Sequence, residues 1–229
     1  MLGIGLVGGM SWESSLEYYK LLNQGVERRL GGLHSARVVL SSVDFDELTG
    51  LQRAGRWDDV ARLLAGAARG VEAAGADLLL MCTTAFHTVA DRVEAAVGIP
   101  FLHLADVVAA AVQARGLRTI GLLATSYTMQ QPFFVDRLES HGLRVVVPRT
   151  EHHDVVDRII YRELVHGKVL DASRATVVSI VDELWDAGAE GVILGCTELE
   201  LLVKQADCEI PVFPCTTLHV EAALDAALS

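Results

Sequence analysis

The chain has little that would suit a membrane, a nucleic acid or a structural metal. No apolar run approaches the roughly 18 residues that a membrane-spanning helix needs. The opening MLGIGLVGGM is apolar but carries no basic flank and runs at once into polar SWES. That predicts a buried first strand rather than a signal peptide, and a soluble cytoplasmic protein. Positive charge is scarce: 19 Lys and Arg stand against 30 Asp and Glu, a formal net charge of −11. That argues against a phosphate backbone as a partner. A small anion is not excluded, because a few free N–H groups at a helix start are enough to hold one. The four cysteines, Cys82, Cys196, Cys208 and Cys215, show neither CxxC nor Cys/His metal spacing. No metal and no disulfide framework are expected, so each thiol is read on its own setting.

What is present is apolar and periodic. Hydrophobic residues make up 51% of the 229 positions, enough for a large core and for two lobes of one chain. Gly3 to Gly8 reads as a short buried strand ending in glycines, followed by a helix from Trp12 to Leu30 with Leu16, Tyr19, Leu22 and Val26 at helical spacing. A strand at 37–43, a helix at 58–74, an apolar strand at 77–81 and a further helix carrying His87 come next. Short apolar strands alternating with helices predict an α/β fold with parallel sheets.

The second half repeats this plan. Thr119-Ile120-Gly121-Leu122-Leu123 resembles the opening strand, Val192 to Glu198 resembles Leu78 to Thr84, and Ile210-Pro211-Val212-Phe213 resembles Ile99-Pro100-Phe101-Leu102. Matches at a nearly constant offset predict two similar α/β lobes related by a pseudo-twofold. We divide the chain into a first lobe at 1–104, a second at 105–208, and a C-terminal strand and helix at 209–229 that pack back on the first lobe. No linker rich in Pro, Ser or charge separates them. Ligands of parallel sheets bind beyond the carboxyl ends of the strands, so an active site is expected in a cleft between the lobes.

Gly195-Cys196-Thr197-Glu198 is the strongest local signal, a thiol at a strand end where a helix begins. A helix N-terminus stabilises a thiolate, which predicts a lowered pKa for Cys196; the plain alternative is a small buried cysteine packing as a hydrophobe. Cys82-Thr83-Thr84-Ala85-Phe86-His87 is the matching place in the first half. Side chains alternate along a strand, so Cys82 and Thr83 point to opposite faces. His87 reads as a packed or orienting residue. Gly3-x-Gly5-x-x-Gly8 matches a dinucleotide fingerprint only in form, since the motif itself is the strand and no nicotinamide cofactor is expected. Gln52, Arg53 and Arg56 suit a carboxylate, or else form a solvated loop. His152-His153 reads as a surface cluster.

Taken together, Gly8-Gly9-Met10-Ser11-Trp12-Glu13-Ser14, Gly31-Gly32-Leu33-His34-Ser35, Ser42-Val43-Asp44-Phe45, Gln52-Arg53 and Gly195-Cys196-Thr197-Glu198 resemble the aspartate/glutamate racemase family over essentially the whole chain. The resemblance implies catalysis without pyridoxal phosphate or metal, on aspartate or glutamate, commonly by a homodimer. Two residues then flank the substrate Cα, one taking the α-proton and the other returning it on the opposite face. The second family cysteine maps onto Cys196. The first belongs to a Cys-Asn-Thr-x-His pattern, and counting back from His87 places Thr83 at the catalytic position, with Cys82 the alternative. Met10, Gln52, Thr84, Ala85, Thr125, Lys168, Thr197 and Glu198 map onto the substrate pocket. The uneven pair Thr83/Cys196 predicts asymmetric racemisation. A single-cysteine decarboxylase or cis–trans isomerase of the same superfamily, and a non-catalytic acidic-amino-acid binding protein, are the alternatives.

Overall fold

The computed structural model describes residues 1–229, which divide into two compact units, Met1–Leu104 with His219–Ser229, and Ala105–Leu218. The first contains β1 (Ile4–Gly8), α1 (Trp12–Leu30), β2 (Val38–Ser42), α2 (Phe45–Arg53), α3 (Trp57–Ala73), β3 (Leu78–Met81), a 3₁₀ helix (Ala85–Val89) and α4 (Ala90–Glu94). Then come α5 (Leu104–Ala114), β4 (Thr119–Leu123), α6 (Ser126–Gln130), α7 (Pro132–Ser140), β5 (Arg144–Val146), α8 (Thr150–Arg162) and a 3₁₀ helix (Leu164–His166). The chain ends with α9 (Asp171–Asp186), β6 (Val192–Leu194), α10 (Thr197–Leu202), a 3₁₀ helix (Gln205–Asp207), β7 (Val212–Pro214) and α11 (Cys215–Leu228). The first sheet has the order β2-β1-β3 and the second β5-β4-β6-β7, and every strand pair is parallel.

In the first unit the strands alternate between two apolar layers. Ile4, Leu6, Leu78 and Leu80 face Tyr18, Leu22, Val220 and Leu224, whereas Val7, Leu79 and Met81 face Val60, Leu64 and Phe86. Full burial of each such side chain contributes about 1.5–3 kcal/mol. Gly5 and Gly121 occupy corresponding places in the two sheets. A Cβ on Gly5 would run into Val71 of α3, and one on Gly121 would lie 3.0 Å from Leu184 of α9. In both units a glycine lets a helix lie close on the central strand.

Three expectations need correction. On α1 the buried face is Ser14, Ser15, Tyr18, Leu22, Gly25 and Val26, while Trp12, Leu16 and Tyr19 are exposed. Both faces carry apolar residues, so helical spacing alone did not choose between them. The segment Ile99–Leu102 makes only an isolated bridge, Leu79 with Phe101, rather than a strand. Within the C-terminal segment, β7 pairs with β6 in the second sheet, and it is from His219 onward that the chain belongs to the first unit. There Val220, Ala223, Leu224 and Ala227 pack against Ile4, Tyr18 and Val26, and Leu2 N–H donates to the Ala227 carbonyl at 2.9 Å.

His219 fastens this helix to its unit. It is fully buried, with Nε2 at 2.8 Å from the Leu102 carbonyl and Nδ1 at 2.9 Å from the Tyr18 hydroxyl. A carbonyl only accepts, so Nε2 carries the proton and Nδ1 accepts from Tyr18, which fixes the neutral tautomer. Burial pushes the imidazole down to about 4 against the opposing bond to Leu102, with His103 adding to the depression. A histidine depressed in the folded state is protonated first in the unfolded chain, so the stability it contributes is lost as pH falls from 6.5 toward 4. Replacing His219 by Gln keeps one donor and one acceptor without a titrating ring. Urea unfolding near pH 7 and pH 5 should show a wild-type loss on the order of 2 kcal/mol beyond that of His219→Gln. An equal loss in both proteins would remove His219 as the cause.

Candidate functional site

Each central strand hands the chain to a turn that carries polar groups. In the first unit β1 leads to Gly9-Met10-Ser11. Gly9 has φ +90°, and a Cβ there would meet the Val43 backbone, so only glycine fits. Its N–H donates to Ser15 Oγ at 2.8 Å. Met10 is buried in the cluster with Val7 and Leu48 rather than standing free.

At the end of β3 the two neighbours part company. Cys82 continues the face of Leu78 and Leu80, fully buried beside Tyr18 and Val220, and burial pushes its thiol far up. Thr83, on the alternate face, is partly exposed. Thr84 is buried and its carbonyl accepts from the His87 N–H at 3.0 Å, which starts the 3₁₀ helix containing the partly exposed Ala85. His87 lies beneath this turn, buried, with Nε2 receiving the Leu104 N–H at 3.4 Å. Burial first, then His103 and His219, hold it well below its ordinary value, while the Thr83 and Thr84 carbonyls oppose the shift. Gln52 and Arg53 form the end of α2 rather than a loop. Gln52 is partly exposed, Arg53 Nε donates to the Thr49 carbonyl at 3.1 Å, and Arg56 pairs with Asp59.

In the second unit Thr125 lies just beyond β4 and caps α6, its Oγ1 accepting from the Thr128 N–H at 3.4 Å. Cys196 lies just beyond β6 as the residue before α10 and is partly exposed. Its thiol is pushed up, the reverse of the sequence expectation. Burial is the largest cause and Glu198 adds to it; the Thr125 backbone opposes, and Asp157 and Glu200 raise it further. A six-residue helix has little dipole to set against this. The resting group is therefore a thiol. Thr197 Oγ1 lies 3.0 Å from Thr216 Oγ1 at the start of α11. Glu198 is partly exposed, whereas Lys168 is exposed beyond the 3₁₀ helix at 164–166.

Two groups near Cys196 escaped the sequence reading. Asp157 of α8 accepts the Ser126 N–H at 2.9 Å and faces Cys196. Glu200, 8% exposed, accepts the Thr216 N–H at 2.6 Å. The signal for Glu200 was a second acid in the alternation Glu198-Leu199-Glu200, where an exposed helix face would be the ordinary reading. His153 also differs from expectation. It is buried, with Gln130 at 3.0 Å on Nδ1 and the Pro148 carbonyl at 3.0 Å on Nε2, while His152 bonds Glu183 at 3.0 Å. Cys208 is partly exposed and Cys215 buried, and burial raises both thiols, Cys208 to about 11.

In each unit, then, hydroxyls and backbone N–H groups gather at the carboxyl ends of parallel strands, and in the second a partly exposed thiol stands among them. Such a set can hold a carboxylate and exchange a proton with carbon. A known structure from Yersinia pestis, described as a candidate Asp/Glu racemase, is 46% identical to this chain over 100% of both, with a TM-score of 0.94. An aspartate racemase homologue from Pyrococcus horikoshii is 33% identical over 100% of both chains, TM-score 0.89. The aspartate racemase of Picrophilus torridus shares the fold at 19% identity, covering 98% of this chain and 94% of its own, TM-score 0.79. The family model for Asp/Glu/hydantoin racemases matches residues 7–223, and the chain belongs to that family.

Proposed function

We propose that the protein racemises a small acidic amino acid, aspartate or glutamate, without a cofactor, and that it treats the two enantiomers unequally. Family membership supports the reaction class. The observation that carries the asymmetry is the contrast at the two strand ends: Cys196 is partly exposed after β6, whereas after β3 the thiol of Cys82 is buried and Thr83 takes the accessible position. Cys196 exchanges a proton with Cα on one face of the substrate. Thr83 stands on the other face, either as a poor proton carrier or by holding a water. A hydroxyl is a far weaker acid than a thiol, so the match to proton transfer is uneven. Thr84, Thr125, Thr197 and neighbouring N–H groups hold the carboxylates and stabilise charge as it develops on the carbanion. Met10, Gln52, Ala85 and Glu198 shape the pocket, and Lys168 is the outlying candidate for a second carboxylate.

The raised Cys196 thiol fits this scheme in one direction. As a thiol it is ready to deliver a proton; to remove one it must first ionise. The test is α-proton exchange in deuterated water, followed by NMR on each enantiomer of aspartate and glutamate. Exchange should fall by at least about a hundredfold in Cys196→Ser, persist in Cys82→Ser, and become more even between enantiomers in Thr83→Cys. Equal and rapid turnover of both enantiomers by the wild type would overturn the Thr83 assignment. Absence of exchange with all four substrates, together with carbon dioxide release from a disubstituted malonate or conversion of maleate, would replace racemisation by the single-cysteine decarboxylase or isomerase reading. Acidic-amino-acid binding without exchange would leave a binding protein.

The exposed stripe Trp12, Leu16 and Tyr19 on α1 supports a homodimer as the working form. Light scattering should give twice the chain mass for the wild type and a shift toward monomer for a Trp12→Glu, Leu16→Glu double variant. Monomeric wild type would end that assignment.

A further inference from the structure

Glu200 has no task in the reaction proposed above, yet it is a carboxylate held almost wholly out of water on α10. Burying a carboxylate is costly unless its oxygens are satisfied. One oxygen accepts the Thr216 N–H at 2.6 Å; the other accepts the Thr217 hydroxyl at 3.1 Å and the Thr217 N–H at 3.4 Å. The Thr216 hydroxyl also turns toward the carboxyl group, and it meets the Thr197 hydroxyl at 3.0 Å. Glu200, Thr216 and Thr197 thus form a chain that ends on the residue following Cys196.

A hydroxyl has one proton and gives it in one direction only. An ionised Glu200 only accepts, so the Thr216 proton points to it, the Thr197 proton points to Thr216, and Thr197 turns a lone pair outward. A protonated Glu200 can donate to Thr216, the chain reverses, and Thr197 turns its O–H outward. We propose that Glu200 is a positioning residue which, through Thr216, decides whether Thr197 offers a proton or a lone pair to the substrate. The proposal rests on the reading of Thr197 as a holder of the substrate carboxylate, for which the outward O–H is the productive form.

Both forms are accessible in ordinary conditions. Burial, opposed by the bonds from Thr216 and Thr217, pushes the Glu200 carboxyl up to about 7. The ionisable groups around it come from four elements. Cys196 at the end of β6 and Cys215 on α11 are both thiols pushed up by burial, hence uncharged near neutrality. On its own helix are Glu198 and, just beyond, Lys204, whose ammonium bonds the Glu200 backbone carbonyl. His166, on the 3₁₀ helix packed against α10, is exposed and screened by water.

The experiment combines an amide titration with a kinetic profile. In ¹⁵N–¹H spectra of the wild type the Thr216 and Thr217 amides should titrate with a midpoint near pH 7, and in Glu200→Gln they should not. KM for the acidic amino acid should rise about three- to tenfold between about pH 6 and pH 8, with kcat changing less, as one hydrogen bond to the carboxylate is lost. Glu200→Gln, whose amide can donate to Thr216 while its one carbonyl oxygen keeps one of the two N–H bonds, should hold KM at the acid-side value throughout. Thr216→Val should be flat at the weaker value. Amides that stay still across this range, a KM that falls with pH, or a Glu200→Gln variant that keeps the wild-type slope would overturn the proposal. Titrating amides in a wild type that exchanges no α-proton would retain the Glu200 chain and overturn racemisation.

Discussion

Met10, Thr83, Thr125, Cys196 and Thr216 each stand two residues beyond the last residue of a parallel strand, and this common address follows from how parallel strands are joined. Each strand must be entered from the same end, so the chain leaves every strand at the opposite edge and turns there into a helix. Those turns cannot complete a ladder, and their N–H groups and side chains remain for other uses. The apolar strands beneath them supply rigidity: β1, β3 and β6 are buried along their whole length. Chemistry at the edge therefore depends on parallel pairing in the interior. A strand shifted by one residue would exchange Cys82 for Thr83 at the edge and bury the hydroxyl instead.

That dependence explains what could be read in the residues. Continuous apolar runs such as Leu78 to Met81 have one plausible state, and the glycines at 5 and 121 marked the two central strands as copies. Alternation along a strand points Cys82 and Thr83 to opposite faces; Cys82 is buried and Thr83 partly exposed. Other features depend on partners distant in sequence and left no local trace. Tyr18 was chosen over Leu16 as the inward residue of α1 by the arrival of Val220 and Leu224, some two hundred positions later. The Cys196 thiol follows its surroundings rather than its place at a helix start, since Glu198 and burial outweigh a short dipole. Glu200 was hidden for the same reason: its partners, Thr216 and Thr217, come from another element.

The two units bury polar groups of different chemistry. In the first, imidazoles sit among aromatic rings, with His87 and His103 edge-on at 4.7 Å and His219 bonded to Tyr18. In the second, a carboxylate and three threonine hydroxyls form the network. The repeated fold has thus kept its apolar frame while its polar fillings diverged. Such divergence is compatible with unequal proton carriers at the two strand ends, because nothing in the frame requires the fillings to match.

The first unit is assembled from two segments distant in sequence: α11 enters it at His219, and the backbone of Leu2 is bonded to that of Ala227. A ribosome releases residues in order, so the apolar groove formed by Ile4, Tyr18, Leu22 and Val26 has no cover until α11 emerges. The second unit, continuous from Ala105 to Leu218, has all of its strands and helices available earlier. Although it is synthesised later, it is the unit able to close first, and the first unit must wait for α11 with an exposed oily face. A chain cut before His219 would leave that groove of the first unit without its cover.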